Sequence, residues 1–249
     1  MNTDATSPAS DSMHTNEIPM ALPPPPLPCV SDDRPILGWG ALLEALLKRP
    51  DRLRAGLMGE TGGTLTRQLI GMALVGMAAY GVVIGLFPGG LQIAVVPLKM
   101  AGGLLAAALI CWPSLYILLC LSGGQQSARE LTGMLASALA LLVVLMAGFA
   151  PVAWIFTQST HSANFMGGLH LLLWTISCVF ALQRLSHGLA ALNGRYMQAL
   201  PVWSILFMVV CLQMTTTLRP IMGPFDDWMF APRDFFLHAW FSGGVAHAP

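Results

Sequence analysis

Between Tyr80 and Tyr116 the sequence carries one charge, Lys99, flanked by two runs apolar enough to sit in lipid. A lysine in such a place either works inside the membrane or marks its boundary by extending its ammonium to water. The densest group of reactive side chains comes later, in QMTTTLRPIMGPFDDWMFAPRDFFLHAWF, where Gln213, Arg219, Asp226, Asp227, Arg233 and Asp234 lie close in sequence. Its acids could pair with Lys99 and Arg219, and its aromatics suit an interfacial belt. Two readings follow, an outer cap that anchors the helix ends or a site for a ligand or partner.

Other candidates for chemistry are sparse. Ser114, Ser122, His170 and His187 could be imagined as nucleophiles and bases, but their spacing lacks the pattern of an activated serine. The sequence has no HExxH helix and no CxxC pair, and four of the five cysteines lie in apolar runs as small hydrophobes. Every Asp and Glu falls outside the apolar runs, which weighs against proton-coupled or sodium-coupled transport. The expectation is therefore no catalytic residue, no metal and no cofactor. His170 reads as a hydrogen-bonded histidine at a helix end.

The elements that must position these residues are membrane helices. The 249-residue chain is 55% hydrophobic and only 10% charged, with a mean hydropathy of +0.66; soluble domains carry about 25% charged residues. Its formal net charge of zero offers no basic surface for nucleic acid. Five apolar runs, 68–87, 98–121, 131–156, 166–182 and 200–218, each approach the roughly 20 residues needed to cross a bilayer core. The second could begin earlier, near Leu91, and the fourth is short.

Four regions follow: an acidic, Pro-rich tail at 1–33, a juxtamembrane segment at 34–67, the five-helix region at 68–218 and an aromatic-rich cap at 219–249. The tail has neither signal-peptide pattern nor apolar surface enough to offset its ordering entropy, so disorder is expected. Ile36, Trp39, Leu43, Leu46 and Leu47 fall near helical spacing before a basic cluster. They describe an amphipathic cytosolic helix, lying on the membrane or packed on its own bundle. If the N-terminus is cytoplasmic, nine basic residues fall on that side and three, Lys99, Arg219 and Arg233, on the other. That asymmetry favours N-in and C-out.

Gly81 and Gly85 stand four apart on the first run, a spacing that lets helices approach closely within one subunit or between copies. Pro97 and Pro113 bracket the second run and should kink or break it, as in many transporter sites. The motifs YGxxxGxFPGGxQ at 80–92, PLK at 97–99, PSLY at 113–116, APVAWIFTQST at 150–160 and QMTTTLRPIMG at 213–223 together resemble a group of uncharacterised bacterial integral membrane proteins over 68–240. The resemblance implies a multi-pass protein of the bacterial inner membrane. A Pro-rich tail before five helices also resembles the Yip-type trafficking proteins in architecture alone.

The expected protein is thus all-α, an integral membrane bundle of about five transmembrane helices with a cytosolic amphipathic helix and a disordered N-terminal tail. Its expected partners are the lipid bilayer and a membrane protein or a second copy of itself. Its function reads as a non-catalytic scaffold or accessory subunit; the alternative is a small transporter or channel component built around a broken second helix. A chain beginning at Arg34 is expected to insert and to melt at the temperature of the full chain. Loss of insertion in that truncation would refute a dispensable tail.

Overall fold

The computed structural model describes residues 38–87, 89–124, 126–160, 162–193 and 200–217. The chain divides into two units at residue 35, and all described elements belong to the second. Among the described residues every regular element is a helix: α1 (Trp39–Lys48), α2 (Pro50–Met58), α3 (Gly62–Gly85), α4 (Gln92–Leu121), α5 (Ala128–Ser159), α6 (Ala163–Asn193) and α7 (Leu200–Thr217). The expected tail at 1–33 and the cap at 219–249 lie outside the described residues.

Four of these helices are long and apolar enough to cross a membrane: Gly62–Gly85, Ile93–Leu121, Ala128–Ser159 and Phe165–Ala190. Less than half of each is buried against protein. The outward faces are apolar too, with Val75, Leu98, Leu109, Leu121, Ile155 and Phe180 all exposed. A helix that is hydrophobic all round and only part buried belongs in lipid, so the chain is a multi-pass membrane protein. At about 1.5 Å per residue, the 18 residues of α7 span roughly 27 Å, just short of a bilayer core of about 30 Å.

Helix α3 lies at the centre, packed along both α4 and α5, while α6 lies on α5 and α7 on α4. Glycine makes the α3 contacts possible. A Cβ at Gly81 would come 2.6 Å from the Pro97 Cα, so α3 and α4 touch backbone to backbone. A Cβ at Gly76 would collide with the Val143 side chain of α5. Gly85 is buried in the last turn of α3, and its carbonyl accepts the Gly89 N–H at 3.1 Å. Gly89 and Gly90 both adopt positive φ, 71° and 60°, and so allow the turn that returns the chain into α4.

Two expectations need correction. Helix α4 runs unbroken through Pro97 and Pro113, where a break was expected, and it starts at Gln92, the earlier start that the sequence allowed. Each proline removes one backbone bond, yet the helix continues because α3 and α7 pack against it. The fourth run is no short segment: α6 has 31 residues and carries Arg184 and His187 beyond the expected end at 182. The juxtamembrane segment packs on its own bundle, one of the two arrangements expected. It forms a pair, α1 and α2, broken at Arg49 with Pro50 in the first turn of α2, where its missing N–H costs nothing.

That pair is docked on the bundle. Leu42, Ala45 and Leu46 of α1 and Leu53 and Leu57 of α2 share a core with Leu65, Leu69 and Met72 of α3 and Ala136, Ala140 and Leu141 of α5. The other apolar stripe of α1, Trp39, Leu43 and Leu47, stays exposed, with Trp39 52% accessible. The GETGGT segment at 59–64 forms a close turn, closed by Gly62 N–H to the Gly59 carbonyl at 3.1 Å and by the Thr64 and Leu65 N–H groups to the Thr61 carbonyl at 3.0 Å.

Forcing a methyl group into the α3–α4 crossing has a definite expected cost. Gly81→Ala should destabilise the bundle by about 1–3 kcal/mol, the usual penalty of overpacking against rigid backbone. Gly102→Ala on α4 meets nothing within 4 Å and serves as the control. Melting curves in detergent should separate the two; equal melting temperatures would show that the crossing is looser than described.

Candidate functional site

Polar side chains inside the bundle hold helices together. The Tyr80 hydroxyl of α3 and His170 Nδ1 of α6 lie 2.8 Å apart, with the rings edge to face at 5.7 Å. Both residues are buried. His170 Nε2 has no hydrogen-bond partner among the described residues. If Tyr80 donates to Nδ1, Nε2 carries the proton and is an unmatched donor; in the other tautomer it is an unmatched acceptor. His170 is therefore hydrogen-bonded, as the sequence suggests, and it is buried between helices.

The PSLY segment of α4 supplies two further bonds. The Ser114 hydroxyl donates to its own helix at the Cys111 carbonyl, 2.8 Å away. It also accepts the Trp203 indole N–H of α7 at 3.0 Å, and that N–H lies 3.2 Å from the Cys111 carbonyl as well. Trp203 then stacks on Phe207. On the same stretch of α4, the Trp112 indole donates to Thr132 Oγ1 of α5 at 3.0 Å and its ring lies flat on Tyr116 at 5.6 Å. Ser114 is a joint between helices.

Cationic residues gather where α1 and α2 meet the ends of the long helices. Arg129 at the start of α5 donates to the Glu60 carbonyl at 3.1 Å, and Arg184 near the end of α6 donates to the Leu46 carbonyl at 3.3 Å. Arg54 bonds Asp51 at 2.6 Å. A capping box, Ser127 with Glu130, fixes where α5 begins beside them. Here α2 and α6 stand on either side of α5 and leave a cleft of about 420 Å³.

The residues singled out from sequence fall into three groups. Gly81 and Pro97 meet at the α3–α4 crossing; Lys99 is half-buried one residue beyond Leu98, in the first turns of α4. Pro113 precedes the Ser114 joint, and Gln213 is half-buried on α7. Arg219, Asp226, Asp227, Arg233 and Asp234 lie outside the described residues, so their pairing with Lys99 stays an expectation from charge. Sequence reasoning passed over Tyr80, Trp112, Trp203 and Arg184. Tyr80 opens the YGxxxG motif and Trp112 precedes PSLY, so the motifs themselves pointed at them. Among the described residues no three His, Cys, Asp or Glu side chains converge as metal ligands. No family model, curated protein or solved structure matches the chain.

Tyr80→Phe removes the hydroxyl and leaves both ring nitrogens of His170 unmatched. Interhelical hydrogen bonds in membranes contribute about 0.6 kcal/mol on average and at most about 1.7, so the expected loss is smaller than that of Gly81→Ala. The double variant Tyr80→Phe with His170→Leu should recover stability by replacing the polar pair with apolar contact. Melting of the two variants in detergent checks this, and a double variant less stable than the single one would contradict it.

Proposed function

We propose that the chain is a non-catalytic scaffold or accessory subunit of a membrane complex in a bacterial inner membrane, with five spans, its N-terminus cytoplasmic and its C-terminus periplasmic. The observation that carries this reading is the docked α1–α2 pair. Its leucines fix it to α3 and α5, so the segment that follows the N-terminal tail is presented from a rigid base beside the bundle. The basic stretch of that pair, with Lys48 and Arg49 exposed, follows Leu46, whose carbonyl Arg184 bonds. Such a platform suits recruitment of an acidic partner.

Two further points support the proposal. The polar groups of the PSLY joint and of Trp112 bond to helix partners and make structure. The asymmetry of basic residues, nine against three, favours the proposed orientation, and α7 supplies the fifth span by tilting little in a bilayer close to its own length.

Purification of the full chain from native membranes under mild detergent should recover a stoichiometric protein partner. Solute or ion flux through the chain alone in liposomes would overturn the scaffold reading. Reporter fusions at Asn193 and Ser242 test the orientation: cytoplasmic signal at the first and periplasmic at the second are expected, and the reverse would refute it.

A further inference from the structure

The cleft between α2 and α6 combines features that its scaffold role does not require. Its floor is apolar, with Leu57 and Met134 among the lining residues, and Arg54, Arg184 and His187 also line it. Arg54 is held from the solvent side by Asp51, whose side chain is 85% exposed while that of Arg54 is 26% exposed. Arg184 is oriented by one bond to the Leu46 carbonyl at 3.3 Å; a guanidinium carries five N–H donors in a planar fork. Two forks and an imidazole therefore converge on one small volume against a single carboxylate.

A second observation says what enters it. Leu172, Ile176 and Phe180 are exposed, and with Arg184 they stand four residues apart along α6, forming one ridge of the helix. The ridge covers about 18 Å at 1.5 Å per residue, slightly more than half of a hydrocarbon core of about 30 Å. It leads from the guanidinium along the lipid-facing side of the helix, the path an acyl chain takes below its headgroup.

We propose that this cleft binds an anionic phospholipid, with the headgroup phosphate held by Arg184 and Arg54 and one acyl chain lying along Phe180, Ile176 and Leu172. Paired arginines suit a phosphate because their N–H groups match its oxygens two at a time. Basic pockets between membrane helices near a helix end take anionic headgroups by the same chemistry. A free phosphate would use the cations but leave the apolar floor and ridge without purpose. The bound lipid would also tie α2 to α6, each of which packs on α5.

The test uses the full chain in neutral detergent with dioleoyl phosphatidylglycerol as probe and dioleoyl phosphatidylcholine as control, followed by native mass spectrometry and thermal melting. Phosphatidylglycerol should stay bound and raise the melting temperature, whereas phosphatidylcholine should not. Hydrogen bonds to a charged group contribute about 1.5–3 kcal/mol each, so Arg184→Gln should weaken phosphatidylglycerol binding by at least about tenfold. Arg54→Gln, on the short α2 helix, should weaken it in the same direction and serves if Arg184→Gln does not fold. Arg67→Gln, at an exposed position of α3 outside the cleft, should bind as wild type. Equal retention of both lipids, an equal loss with Arg67→Gln, or displacement of the lipid by millimolar inorganic phosphate would each overturn the proposal.

Discussion

Helix α3 has to approach two neighbours at once, and it can do so only where its own side chains are absent. At Gly81 a single methyl would press on the Pro97 backbone, and at Gly76 it would collide with Val143. In lipid, apolar surface gains little by moving from acyl chains to protein, so dispersion at close range has to hold the helices together. That attraction falls off within an ångström or so. The whole arrangement of α4, α5 and what they carry therefore depends on two small positions about a turn and a half apart on α3.

The placement of polar groups follows from this frame. With α4 set against α3 at Pro97, its far half brings Cys111 and Ser114 to the indole of Trp203 and Trp112 to Thr132. With α5 set by Gly76, α6 follows it and delivers His170 to Tyr80 and Arg184 to the α1 carbonyl of Leu46. The hydrogen bonds select the rotation of each helix about its axis more than they supply stability. The docked α1–α2 pair packs on a further apolar face of α3 and α5, and the cleft is what remains between it and α6.

Much of the fold was legible in the sequence for a physical reason: crossing a bilayer demands long apolar runs, and the runs stand out against 10% charge. The Gly81 spacing pointed to a close helix approach, and the structure places that glycine on Pro97. What the sequence could not show is which partner each glycine faces, since small residues recur at Gly102 with open space around it. The end of α6 was misjudged because Gln183, Arg184 and His187 look like an exit from lipid, while the helix continues past them to reach α1. The second short helix, α2, was not foreseen, although Pro50 is a good first residue for a helix. The hydrogen-bonding tryptophans were hidden because an indole in an apolar run looks like any other large hydrophobe. His170 was legible as a bonded histidine, though its partner, Tyr80, was not.

The central claim is that α3 and α5 of one chain meet at Gly76 and Val143, and disulfide trapping measures it directly. A Cβ built at Gly76 lies 3.8 Å from the Cβ of Val143, close to the mean separation of about 3.8 Å found in disulfides. In a variant with the five native cysteines, Cys29, Cys111, Cys120, Cys178 and Cys211, replaced by serine or alanine, Gly76→Cys and Val143→Cys should cross-link within one chain under mild oxidation in the membrane. Intact mass after thiol blocking would show the loss of two reactive thiols in a monomer. Free thiols after oxidation, or a cross-link only between two chains, would contradict the account.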